Sequence, residues 1–372
     1  MTKGKYYNPN TFNALHAAIA FLLFFAVSFL ASFLVGFAMA DGGISPNEGN
    51  APYYCLSILA MAAGLWALSF AFGKACKVSL FNGGGFLVRK GQGTDMLMAA
   101  VGVCGGVVLL SPLADSFSAY FTYLGDFFHL PSSGAGMGAG MEGSAILIFV
   151  YSFILTPLLP AIFEELFFRG VILRGFMQYG KPVAIVLSSA LFALAHGNVS
   201  QLVYQFLVGM FLGFLFVETK NILVPMVAHF TNNFFAVVYA MVVYPKEGGT
   251  GLVYMAIAEI MYTLIAIVCF AAATVYFAKR AAHSLKHPER AEKETKAAFC
   301  SFDSVLGNVL EERAWFLTGE LANGGEEKAF LLGENRRAKL NKKAKFLPVA
   351  IVLGVGIALA VALVLLGFFG VL

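Results

Sequence analysis

Glu164, Glu165 and Arg169 fall within one apolar run, Ala145 to Phe176. An ionised side chain at the centre of a membrane helix costs roughly 2.5–3.5 kcal/mol on insertion scales. Three of them within six residues need both partners and a purpose, and intramembrane ionisable groups mark functional sites by default. Neighbours on a helix point about 100° apart, so the two glutamates face different ways. Glu165 and Arg169 stand four apart with the acid first, the favourable order for an ion pair. Glu165 is therefore expected to be neutralised by Arg169. That leaves Glu164 free to serve as a general base, work that suits a poorly solvated carboxylate. The bland alternative makes Glu164 a second packing partner of Arg169.

Two further polar pairs lie in apolar runs: Phe192 with His196, and His229 with Asn233. In each pair the spacing of four puts both side chains on one helix face. Gly180 marks a turn, with Glu164 and His196 each 16 residues from it. At helical rise both then stand about 24 Å from that turn, level across a hairpin. His229 and Asn233, counted from Asn221, come to roughly 12–18 Å, so tilt has to close the gap. Together these residues read as a hydrolytic constellation without a Ser or Cys nucleophile. Glu164 and His196 activate a water, while His229 and Asn233 donate hydrogen bonds to the developing oxyanion. A divalent metal such as zinc, held by Glu164, His196 and His229, is the rival arrangement; no H-E-x-x-H accompanies it. Asn232 reads as glue between helices. His16, His129, His283 and His287 read as structural.

The elements that must position these residues are membrane helices. The chain is 59% hydrophobic with 38 Phe and only 12% charged, against about 25% charged for a soluble domain. Nine apolar runs approach the ~20 residues that a bilayer core demands of a helix: about 14–40, 53–73, 94–113, 145–177, 182–197, 200–217, 222–243, 252–278 and 347–371. The fifth is short and ends at Gly197-Asn198, which suggests a recessed, water-accessible site. The fold class is all-α, a polytopic transmembrane bundle of eight to nine spans. Lys and Arg alternate between loops, so the positive-inside rule puts the N-terminus in the cytoplasm. Ala38-Met39-Ala40 looks like a signal-peptidase site, but the apolar run before it is too long for a signal peptide, and the helix is read as retained. Residues 132–143 read as a flexible external loop. The charged segment 279–345 is cytoplasmic, with a short helix near 305–317, and its basic end meets anionic lipid. Gly102-x-x-x-Gly106 and Gly209-x-x-x-Gly213 allow close helix packing. The five cysteines show no paired spacing. Partners are thus the lipid bilayer and a membrane protein or peptide; nothing points to nucleic acid.

Three motifs carry a resemblance: Glu164-Glu165 with Arg169, Phe192 with His196, and His229 with Asn233, in that order. They resemble the E-E-x-x-x-R, F-x-x-x-H and H-x-x-x-N motifs of the CPBP (Abi) family, the CAAX-protease and bacteriocin-processing intramembrane endopeptidases. The resemblance covers about 145–243. It implies proteolysis within or beside the membrane, with Glu164 and His196 activating water and His229 and Asn233 forming the oxyanion hole. It implies a bacterial cell membrane as the setting. It divides the chain into N-terminal helices (1–144), a catalytic core (145–243), a further helix (244–278), the charged segment (279–345) and a C-terminal helix (346–372). Some relatives look like scaffolds or immunity proteins, which keeps a non-catalytic role as the first alternative. A transporter with a proton-coupled carboxylate is the second, and the chain shows no inverted repeat to favour it.

Overall fold

The computed structural model describes residues 13–41, 51–75, 92–127, 144–198, 201–219, 221–243, 252–286 and 346–368. Nine helical rods account for nearly all of them: α1 (Ala14–Asp41), α2 (Ala51–Ala75), α3 (Gln92–Phe127), α4 (Ala145–Phe176), α5 (Lys181–Ala195), α6 (Leu202–Thr219), α7 (Leu223–Val243), α8 (Leu252–Lys286) and α9 (Phe346–Phe368). Six contain an apolar stretch long enough to cross a bilayer, and α5, α7 and α9 carry shorter ones. The protein is an integral membrane helical bundle. Large apolar side chains face outward as lipid contacts require, among them Phe29, Phe37 and Val268.

The rod α4 is the axis of the site and departs from regular helix twice. Ser144 caps it, its hydroxyl accepting from the Leu147 N–H at 3.2 Å. A π-helical turn covers Val150–Leu155 and a second covers Phe168–Leu173, with α-helix over Thr156–Phe167 between them. Such wide turns recur at functional sites. Pro157 and Pro160 contribute: proline has no N–H, so the carbonyl four residues earlier loses its helical partner. A 3-10 turn at Met177–Tyr179 and Gly180, with φ 97°, reverse the chain into α5. Glycine is required there because a positive φ strains any side chain. The helix α5 ends after 15 residues at Gly197, where φ is again positive. This is the short fifth helix expected from the sequence.

Two helices outrun their predicted spans. The third continues through Pro112 to Phe127, whereas the apolar run in the sequence ends at 113. The Ser111 hydroxyl donates to the Val108 carbonyl at 3.0 Å, which is the acceptor that Pro112 leaves unpaired. The hydropathy signal fades at Asp115 and Ser116, yet the backbone is carried on by hydrogen bonds rather than apolarity. The eighth helix extends to Lys286, eight residues into the segment read as cytoplasmic. The expected loop at 132–143, and the stretch 287–345 with its short helix, lie outside the described residues. So do His129 and His287.

The core is built on phenylalanine. Phe24 of α1 lies against Phe167 and Phe168 of α4, and Phe168 meets Phe192 of α5 edge-on at 5.1 Å. Edge-to-face pairs are the preferred aromatic geometry. Gly175 brings α4 against α1, where an added Cβ would sit 2.5 Å from Ala17 Cβ. His16 lies at the start of α1 beside Asn13, whose Oδ1 accepts from the Leu15 N–H at 3.1 Å and stands 2.9 Å from His16 Nδ1. Cys55, Cys104 and Cys269 are free thiols.

Candidate active site

Four helices, α4 to α7, bring the three motifs together. Arg169 Nη1 donates to Glu165 Oε1 at 2.6 Å, and both side chains are buried. The expected ion pair is present. Its surroundings explain how it survives in apolar protein. Arg169 Nη2 donates to the Gly209 carbonyl at 3.1 Å, and the guanidinium lies 4.8 Å from the Phe192 ring centroid. Buried charges need such company, because a pair alone does not recover its desolvation cost.

Glu165 has a second partner that the sequence did not reveal. His229 Nδ1 donates to the same Oε1 at 2.7 Å. The carboxylate can only accept when ionised, so Nδ1 carries the proton and the ring plane is fixed. This turns His229 Nε2 toward Glu164, whose Oε2 is 4.0 Å away. Glu164 is the more accessible acid, with a side chain 20% exposed against 0% for Glu165.

His196 closes α5. Its Nδ1 donates to the Phe192 carbonyl at 2.8 Å, and its ring packs on Phe192 at 4.7 Å. It lies within electrostatic reach of Glu164, His229 and Arg169. The sequence reading had Glu164 facing His196 directly. Among the described residues the nearer histidine is His229, and no hydrogen bond joins Glu164 to His196. Counting residues from each turn could not reach this, because it leaves the relative depth of the two turns open. Gly180 is exposed, but the turn before α7 is sunk into the protein, with Thr219, Asn221 and Ile222 all buried. Asn221 Nδ2 donates to Gln92 Oε1 at 2.6 Å there.

Asn233, one turn beyond His229, donates from Nδ2 to the Thr156 carbonyl at 3.4 Å. Asn232 Nδ2 donates to Asn233 Oδ1 at 3.1 Å, and the Tyr204 hydroxyl donates to Asn232 Oδ1 at 2.8 Å. Asn232 is thus a link between helices, as read. Tyr204 was not singled out, although a tyrosine in an apolar span needs a partner for its hydroxyl. Gly209, read as packing alone, supplies a carbonyl to Arg169.

As placed, Glu164, His196 and His229 do not close on one ion. A tetrahedral zinc held at about 2.0–2.1 Å by two ligands sets them roughly 3.4 Å apart, closer than the 4.0 Å between His229 and Glu164. Among the described residues no three His, Cys, Asp or Glu side chains stand close enough to hold an ion.

Residues 146–235 match the family model described as Type II CAAX prenyl endopeptidase Rce1-like. That stretch runs from the first turn of α4 into α7 and contains all three motifs, in agreement with the CPBP resemblance. No curated protein and no solved structure matches the chain.

Proposed function

We propose that the protein is an intramembrane endopeptidase that hydrolyses a peptide bond of a membrane-associated protein or peptide. The observation that carries the reading is the convergence of His229 Nε2 and Glu164 Oε2, 4.0 Å apart. One oxygen atom at about 2.8 Å from each would subtend an angle of about 90°, within reach of ordinary water geometry. A single water can therefore touch both groups. Glu164 takes its proton as general base. His196, with Nδ1 bound to a backbone carbonyl, offers Nε2 to share that proton and pass it to the leaving amine. His229, when Nε2 as well as Nδ1 carries a proton, and the second N–H of Asn233 donate to the oxyanion as the carbonyl becomes tetrahedral. Glu165 and Arg169 hold His229 and touch no reacting atom. The Rce1-like match supports a substrate cut near its C-terminus beside a lipid anchor. Basic loop residues support a cytoplasmic N-terminus.

The test compares peptide termini in membranes of cells carrying wild type and cells carrying Glu164→Gln at matched levels. New termini confined to wild type are expected. Identical sets of termini, with the variant folded, would sink the hydrolase reading and leave the scaffold alternative.

A further inference from the structure

We propose that Tyr204 is a positioning residue of the reaction, acting on Asn233 through Asn232. This rests on the oxyanion role given to Asn233 above.

The starting point is Pro160. Because proline has no N–H, the Thr156 carbonyl four residues earlier loses its helical donor. A carbonyl oxygen can only accept. The Asn233 amide that reaches it at 3.4 Å must therefore present nitrogen, not oxygen. Asn233 Oδ1 then faces the other way, toward Asn232, and is itself an acceptor. So Asn232 must also present nitrogen, which it does at 3.1 Å. That turns Asn232 Oδ1 toward α6, where the Tyr204 hydroxyl meets it as donor at 2.8 Å. Each amide orientation is dictated by the one beside it. The two ends of the chain are an obligate acceptor on α4 and a hydroxyl donor on α6.

The consequence lies at Asn233. Its nitrogen has two N–H groups. One is spent on Thr156, which leaves the second for an oxyanion. If the amide flipped, its oxygen would oppose both the Thr156 carbonyl and any developing negative charge. The Thr156 carbonyl dictates that orientation; Tyr204, whose hydroxyl can donate or accept, anchors the far end by filling Asn232 Oδ1, so that Asn232 stays in place against Asn233, and its place on a separate helix keeps it one amide removed from the reacting atoms. Asn232 is buried, so no bulk water stands ready to replace the hydroxyl.

The experiment measures the initial rate at which Glu164-dependent termini appear after induction, at matched levels of folded protein in the membrane. Tyr204→Phe keeps the ring and removes only the donor. The expected result is a fall of about 10- to 100-fold, less than or equal to the loss from Asn233→Ala, since removing a whole oxyanion donor costs about 10²–10³. The deciding measurement is Tyr204→Phe placed on the Asn233→Ala background, where no further fall is expected. A merely structural tyrosine would lower both backgrounds alike. Multiplicative losses, or a wild-type rate in Tyr204→Phe, would overturn the proposal. Pro160→Ala is the independent arm: it returns an N–H that competes for Thr156 and should slow cleavage while α4 melts no earlier. An unchanged rate there also counts against the relay. If wild type and Glu164→Gln yield the same termini, the hydrolase reading has failed and this proposal falls with it, a result distinct from a normal rate in Tyr204→Phe.

Discussion

At the scale of single residues, the two adjacent glutamates do different work, and the difference follows from burial. Glu165 is fully buried and its Oε1 accepts from both Arg169 and His229. Removing it leaves a buried guanidinium with the Gly209 carbonyl, the Phe192 ring and the more distant charge of Glu164. Breaking a buried pair in this way costs about 3–5 kcal/mol. Glu165→Ala is therefore expected to lower the thermal midpoint of the purified protein sharply, and Glu164→Gln to leave it nearly unchanged while cleavage is lost. A thermal scan of both variants in one detergent checks this; equal midpoints would mean that Glu165 is no keystone. The i, i+4 pairing of Glu165 with Arg169 was legible in the sequence because it lies within one helix. The bond from His229 to Glu165 was not, because it depends on how deeply α7 starts. Tyr204 was invisible for a similar reason: its partner is on another helix, and no periodicity links 204 to 232.

At the scale of elements, the site depends on how close α5 and α6 approach. Gly209 faces Ser189, and an added Cβ would lie 3.1 Å from Ser189 Cα and Cβ and 3.3 Å from a Phe192 ring carbon. Ser189 Cα is backbone and cannot yield without moving α5. The same glycine gives its carbonyl to Arg169, so pushing α6 away loosens the ion pair and tilts the ring beside both histidines. Gly209→Ala is expected to destabilise by about 1–3 kcal/mol, the usual cost of overpacking, and to slow cleavage as well. Gly213→Ala meets only the side-chain ends of Ile185 and Leu173, at 3.3 and 3.4 Å, and should do much less. Thermal midpoints and cleavage rates of the two variants side by side check the ranking, and a milder Gly209→Ala would refute it. The small-residue spacing announced close packing, and the short α5 was legible from its flanking turns. The lengths of α3 and α8 were not. Hydropathy reports where apolar side chains stop, whereas a helix stops where its backbone hydrogen bonds do, and Ser111 and Ser116 carry α3 past its proline.

At the scale of the whole molecule, the site and the end of α8 are held by different hydrogen bonds. The hydrogen bonds of Glu165, Arg169, His196, His229, Asn232 and Asn233 stay within α4, α5, α6 and α7. A second buried polar cluster ties α3 to α8, with Tyr276 and Arg280 both donating to Asp95 Oδ1 at 2.8 and 2.9 Å. This clamp fixes the end of α8 from which the charged segment departs, and it shares no residue with the candidate site. The two functions that remain in competition therefore separate on one deletion. Replacing 288–344 with a flexible Gly/Ser linker of about 20 residues, roughly 25 Å in mean span, keeps Arg280 and the clamp and leaves α4 to α7 intact. An endopeptidase built as proposed should keep producing Glu164-dependent termini, at a rate within about threefold of wild type, since that change amounts to well under 1 kcal/mol in barrier. A scaffold that docks its partner through the basic segment should lose the cellular phenotype whether or not Glu164 is present. Loss of the termini on deletion, with the protein still folded in the membrane, would show that the charged segment takes part in delivering substrate and that α4 to α7 do not suffice.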